Sequence, residues 1–336
     1  MDAIALTRAL VDIESITGNE APVGHFLARE LQQLGYSVQK TPVPNPYRKA
    51  ERFNVYAHSG AAAPPLVFST HMDTVPPFIA SSENEERIFG RGSCDAKGII
   101  AAQIAAAERL KQDGIDAGLL FVAGEERDSL GARTANRNPP GSRFLINGEP
   151  TENRIAIASK GALRVQLTAT GRMAHSAYPE LGESAIDKLL DALARLRALK
   201  LPETEGIGPT TMNIGVIEGG RAPNVIPDSA RAQLLFRLVA PAEELRSEIT
   251  KAVQGLAEAA FVLEIPFIRL RTIDGLPTFV AKYTTDIPEL SGWGEPVLFG
   301  PGSIHVAHTD EEFISKRELL NAVDIYCRIA KGLLNS

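Results

Sequence analysis

Three short apolar runs constrain this chain more than any other feature. Leu66–Thr70 (LVFST), Gly118–Ala123 (GLLFVA) and Arg143–Ile146 (RFLI) each stop at a cluster of ionisable residues. Runs of this length without in–out alternation read as strands buried on both faces, as in a parallel sheet. Between the first two lies an Ala-rich stretch, residues 97–112 (KGIIAAQIAAAERLKQ), which stops at Gly114 and reads as a helix with a glycine stop. Leu6, Ala9, Leu10 and Ile13 recur at helical spacing before Thr17-Gly18, and a second helix is predicted from Glu20 to Leu34, ending at Gly35. Ser37–Lys40 and Phe53–Ala57 read as further strands. Strands alternating with helices predict an α/β fold with a mainly parallel sheet. Ligands of such sheets gather at the carboxyl ends of the strands, where the polar clusters of this chain fall.

From about Ser159 the texture changes. Val165–Thr170 alternates (VQLTAT), a helix follows at Ser184–Leu199, Met212–Glu218 and Ala230–Leu238 read as strands, and a second helix runs from Ala242 to Leu256. This pattern predicts an inserted α+β sandwich. Residues from Gly275 onward return to the first domain, with a strand at Pro296–Phe299 and a last helix from about Asp310; residues 60–65 read as a loop. At 336 residues the chain exceeds the usual single-core limit. The expected division is 1–160 with 270–336 as one domain and 161–269 as the insert.

A net charge of −6 disfavours nucleic acid or an anionic membrane as a partner. The two cysteines, Cys94 and Cys327, suggest no disulfide framework and fit a reducing compartment. No basic n-region opens the chain and no run of 18 uncharged apolar residues occurs, so a cytoplasmic location without a membrane span is the expectation.

Five polar clusters carry the chemistry. In His71-Met72-Asp73, positions i and i+2 point the same way at a strand end, so Asp73 can reach the ring nitrogen of His71 that a metal leaves free. A surface His–Asp pair would look the same. Asp95, in Gly90–Gly98 (GRGSCDAKG), directly precedes the Ala-rich helix and by itself reads as its N-cap. Its neighbour Cys94 has no activating base and reads as a buried small side chain. Glu125 and Glu126 are adjacent carboxylates that repel unless cations or solvent neutralise them. Glu149 precedes Pro150, and His305 and His308 lie three apart in the fifth cluster. Together these supply imidazoles and carboxylates at strand ends of one sheet, the ligand types that zinc hydrolases use.

HMDTVP (71–76), GRGSCDAKG (90–98), GEE (124–126), GEPT (148–151) and the late AH (307–308) resemble, in order and across nearly the whole chain, the M20 metallopeptidase and deacylase family. The resemblance implies a zinc-exopeptidase-like domain with an inserted lid and dimerisation domain, and two divalent ions, zinc with cobalt or manganese as substitutes. His71 and Glu149 would hold one ion, Glu126 and His308 the other, and Asp95 would bridge them. Asp73 would orient His71, and Glu125 would be the general base. The Asp95–Ala96 bond would be cis. His175 would reach the active site, often from a partner subunit, and Asn224 and Arg237 would bind a substrate carboxylate. FGPGSIHVAH (299–308) resembles the acetylornithine deacetylase branch, which selects His308 over His305. The implied substrate is an N-acyl amino acid or a short peptide, and a homodimer through the insert is implied. Small exopeptidases, desuccinylases and a non-catalytic scaffold stabilised by metal remain as alternatives.

Overall fold

The computed structural model describes residues 1–60 and 63–335, so the loop expected at 60–65 lies partly outside the described residues. The principal helices are α1 (Ala3–Val11), α2 (Ala21–Gln33), α3 (Lys97–Gln112), α4 (Ala185–Arg197), α5 (Glu243–Val253) and α6 (Lys316–Leu334). The principal strands are β1 (Ser37–Pro42), β2 (Phe53–His58), β3 (Leu66–His71), β4 (Ala117–Val122), β5 (Phe144–Asn147), β6 (Gly161–Thr170), β7 (Thr211–Gly219), β8 (Ser229–Leu238), β9 (Glu258–Ile265) and β10 (Glu295–Leu298). The chain forms two compact units. One holds Met1–Ile157, Leu270–Phe279 and Thr285–Ser336; the other holds Ala158–Arg269 and Val280–Thr284.

The first unit is built on a six-stranded sheet in the order β1-β2-β4-β3-β5-β10. The β4–β3, β3–β5 and β5–β10 pairs are parallel, and β1–β2 and β2–β4 are antiparallel. Every residue of β3, β4 and β5 is buried, which explains why their sequences do not alternate. Small side chains let α3 approach its neighbours closely. Ala101, Ala102, Ala105, Ala106 and Ala107 are buried along it, and it packs against α1, α6 and the sheet. Gly98 is required at its start, because a Cβ there would stand 2.4 Å from the Ser93 carbonyl oxygen.

The last helix differs from expectation. It begins at Lys316 rather than near Asp310, capped by the Ser315 hydroxyl, which accepts from the Glu318 amide at 3.4 Å. Residues 313–315 are instead extended and pair antiparallel with Arg87–Phe89. That pairing spends the backbone hydrogen bonds a longer helix would need.

The second unit is an antiparallel sheet in the order β7-β8-β6-β9 with α4 and α5 on one face. Along β8 exposure alternates: Ala230, Ala232, Leu234, Phe236 and Leu238 are buried against the helices, and the intervening residues face the other way. Ser184 caps α4, accepting from the Asp187 amide at 3.2 Å. The strand β9 is the last strand expected of the insert, but its bounds were not legible in the sequence, because Glu258–Ile265 mixes its apolar residues across both faces and carries a register shift between Phe261 and Leu263.

Candidate metal centre

His71 is the last residue of β3, in register with Val122 at the end of β4. The turn after β4 therefore delivers Gly124-Glu125-Glu126 beside it. The strand β5 ends at Asn147, and the Gly148 amide donates to the Ser69 carbonyl at 2.7 Å, which brings Glu149 to the same edge. Asp95 arrives from the loop before α3. It does not cap that helix: the cap position is Ala96, with no side-chain hydrogen bond. The Asp95–Ala96 bond is cis.

The carboxylate of Asp95 faces one histidine with each oxygen. Its Oδ1 lies 2.9 Å from His71 Nε2, and its Oδ2 lies 3.4 Å from His308 Nε2. His308 Nε2 is also 3.0 Å from Glu126 Oε1. One candidate ligand atom from each of His71, Asp95 and Glu126 falls within 4.8 Å of the others. His308 adopts a left-handed backbone, φ 65, unusual for a side-chain-bearing residue. His305, three residues earlier, is exposed and lines a separate cavity with Arg87 and Asp310.

The electrostatics are those of a cluster short of positive charge. Burial pushes the Glu125 carboxyl well above its ordinary value, and the charge of Glu149 adds to this. Burial likewise raises Glu149, with His71 offsetting and Asp95 reinforcing the effect. Glu126 is raised by burial against the pull of His308. Burial would depress His71, but the Asp73 and Asp95 carboxylates hold it well above the usual imidazole value. Hydrogen bonds to Asp95 and Glu126 raise His308 to about 10. Crowded carboxylates that raise one another, interleaved with imidazoles, fit divalent cations of the oxygen- and nitrogen-binding type.

Asp73 lies beside His71 as the sequence suggested, and it also organises the neighbouring turn. His71 Nδ1 lies 3.0 Å from the backbone carbonyl of Asp73, while the carboxylate is 3.6 Å away. The carboxylate also accepts from the amides of Gly124 (2.8 Å), Glu125 (3.2 Å) and Glu126 (3.3 Å), and from the Thr17 hydroxyl at 2.8 Å. It therefore shapes the turn that carries both glutamates. Gly124 has φ +87 in that turn, a conformation that favours glycine. Cys94 is buried, its Sγ donating to the Ser303 carbonyl at 3.3 Å, and burial raises its thiol well above the ordinary value. That makes it a poor nucleophile.

Sequence reasoning missed Glu312. Its Oε1 accepts from the amides of Gly92 (3.0 Å), Cys94 (3.1 Å) and Asp95 (3.1 Å), and its Oε2 accepts from Arg91 Nη1 at 2.8 Å. Both side chains are buried. Glu312 thus ties the loop bearing Asp95 to the segment bearing His308. In the sequence it is one of three consecutive acids, Asp310-Glu311-Glu312, at the expected start of the last helix, with nothing local to single it out.

The remaining expected site residues belong to the second unit. His175 pairs with Val225 in a two-residue ribbon, and the Ser176 amide donates to the Asn224 carbonyl at 3.0 Å, so His175 and Asn224 share one local structure. His175 and the Asn224 side chain are exposed. Arg237 is half-buried on β8, on the face away from the helices.

Residues 157–262 match the M20 peptidase dimerisation domain. A probable carboxypeptidase of Aspergillus terreus is 40% identical over an alignment covering 98% of this chain and 86% of that protein. The fold is that of aminopeptidase PepT from Bacillus cereus, with a TM-score of 0.80 at 21% identity and coverage of 99% and 98%. It is also that of the M20 metallo-carboxypeptidase Sso-CP2 from Sulfolobus solfataricus, with a TM-score of 0.73 at 17% identity and 99% coverage of both chains. A peptidase M20 domain-containing protein of Schizosaccharomyces pombe is 38% identical over 97% of this chain and 83% of that protein. The chain accordingly belongs to the M20 peptidase family, metal-dependent hydrolases of amide bonds.

Proposed function

We propose that this protein is a two-metal exopeptidase that cleaves the amide bond next to a residue with a free carboxylate, in short peptides. The observation that carries the reading is Asp95, whose two oxygens each face a different histidine, with Glu125 adjacent to the Glu126 ligand. In this reading His71 and Glu149 would hold one divalent ion and Glu126 and His308 the other, with Asp95 a ligand to both. Zinc suits these ligands, and cobalt or manganese could replace it. Such a pair, when bound, acidifies water and polarises a carbonyl. Glu125 accepts the proton of the attacking water as the new C–O bond forms, then delivers it to the amine as the C–N bond breaks. His175 donates to the developing oxyanion. Arg237 grips the substrate carboxylate through its guanidinium fork, with Asn224 beside it in the same task. A homodimer through the insert accords with the dimerisation-domain match.

The 299–308 segment led to an expectation of a deacetylase acting on acetylornithine-like substrates. The relatives favour peptides, and the A. terreus protein is described as a probable carboxypeptidase. A panel of dipeptides, N-acetyl-ornithine, N-acetyl-lysine and succinyl-diaminopimelate, assayed with zinc and with cobalt, separates the readings. Turnover of dipeptides above the acetylated amino acids is the expected result, and the reverse order would return the deacetylase reading.

A further inference from the structure

The sheet of the second unit is covered by helices on one face only. On the other, a cavity of about 410 Å³ is lined by Arg164, Arg237, Asn213, Gln233, Leu263 and Ile265 among others. Strand register fixes how these lie. Arg164 of β6 sits opposite Leu235 of β8, and Arg237 of β8 sits opposite Ala162 of β6. The two arginines are therefore diagonal neighbours on one face, within reach of each other's long side chains. Ala162, the small residue beside both, leaves space between them. Leu263 and Ile265 of β9 are in register with Arg164 and Ala162 and supply an apolar wall.

What sets these two arginines apart is that both line this one cavity on the face without helices, and neither has a carboxylate beside it there. Some arginines of this unit are paired with acids, Arg231 with Glu218, Arg246 with Glu264 and Arg221 with Asp228, while Arg172 and Arg195 donate to backbone carbonyls. Among the described residues no carboxylate pairs with Arg164 or Arg237. Burial lowers the Arg237 pKa, the sign of a cation held partly out of water without compensation. Two unpaired guanidinium groups on adjacent strands repel. An anion bound between them removes that cost.

We propose that Arg164 and Arg237 form a two-guanidinium subsite for substrates with two carboxylates, namely peptides whose C-terminal residue is glutamate or aspartate. Arg237 takes the α-carboxylate, as in the function proposed above, on which this inference rests. Arg164 takes the side-chain carboxylate, and the apolar wall covers the methylene stem.

The test is the ratio of kcat/KM for Leu-Glu over Leu-Gln, a pair that differs only in side-chain charge, in the zinc-loaded protein. The wild type is expected to favour Leu-Glu by about tenfold or more, the scale of one charge-assisted hydrogen bond. Arg164→Gln is expected to bring the ratio near one, mainly through KM, and Arg164→Lys to restore part of it. Arg237→Gln should weaken both substrates together. A wild-type ratio near one, or an unchanged ratio in Arg164→Gln, overturns the subsite. If neither peptide is cleaved, the peptide reading fails, and calorimetric titration with glutarate and butyrate tests the subsite by itself. Glutarate should bind more tightly than butyrate, and Arg164→Gln should remove that difference; equal binding in the wild type overturns the proposal. A change in oligomeric state of Arg164→Gln on sizing would assign the face to a second copy of the chain instead.

Discussion

Replacing Glu312 with glutamine should loosen the loop that presents Asp95. The carboxylate meets four donors, three backbone amides and the Arg91 guanidinium, and no acceptor. Burial pushes its pKa up and Arg91 pulls it back, but a proton on either oxygen would face a donor. An amide has the same problem: wherever its NH₂ lies, it points at Arg91 or at the three amides. Breaking one partner of a buried ion pair costs ~3–5 kcal/mol. At roughly 2–4 °C per kcal/mol for domains of this general size, melting of the metal-free protein should fall by on the order of 10 °C. Zinc affinity should fall as well, because Asp95 loses the amide anchor 3.1 Å from Glu312 Oε1. Calorimetric melting of chelator-treated protein and a zinc titration read the two effects separately. A Glu312→Gln variant that melts with the wild type and binds zinc equally would refute the argument that this carboxylate organises the loop.

Further outcomes follow from the same geometry. Glu125→Ala should retain its metal and lose about 10²–10⁴-fold in kcat, the usual scale of a general base; wild-type turnover would remove Glu125 from that role. Burial raises Asp286 from 3.8 to about 7, with Ser129 and His71 offsetting part of the effect. As pH rises from 3.8 to about 7 the unfolded chain releases this proton while the native one keeps it, so stability declines across that window. The decline is on the order of 4 kcal/mol, and Asp286→Asn should flatten it in chelated protein; identical pH profiles from denaturant melts would contradict this. His308, held at about 10 without metal, must lose its proton to become a ligand. Zinc binding at neutral pH should therefore release protons, seen as a binding enthalpy that differs between Tris and phosphate; equal enthalpies would oppose the assignment.

The buried strands were legible because burial on both faces leaves no alternation, and their ends marked the site. His71, Asp95, Glu126 and His308 could each be singled out from the sequence, and the structure brings them together. What could not be read were interactions made by backbone groups. Asp73 serves three amides of a turn fifty residues away, and Glu312 serves a loop more than two hundred residues away. No local spacing encodes such contacts. The start of α6 was misjudged for a related reason, since residues 313–315 are held extended by pairing with Arg87–Phe89 rather than by their own preference. The bounds of the half-exposed strand β9 could not be drawn because its pattern is broken by an irregular register.

The central claim is that Asp95 joins two cations. Elemental analysis of wild-type protein and Asp95→Ala, both purified with zinc present and freed of loose metal, measures it directly. Two zinc ions per chain in the wild type and near-complete loss in the variant are expected; two ions retained by Asp95→Ala would contradict the account.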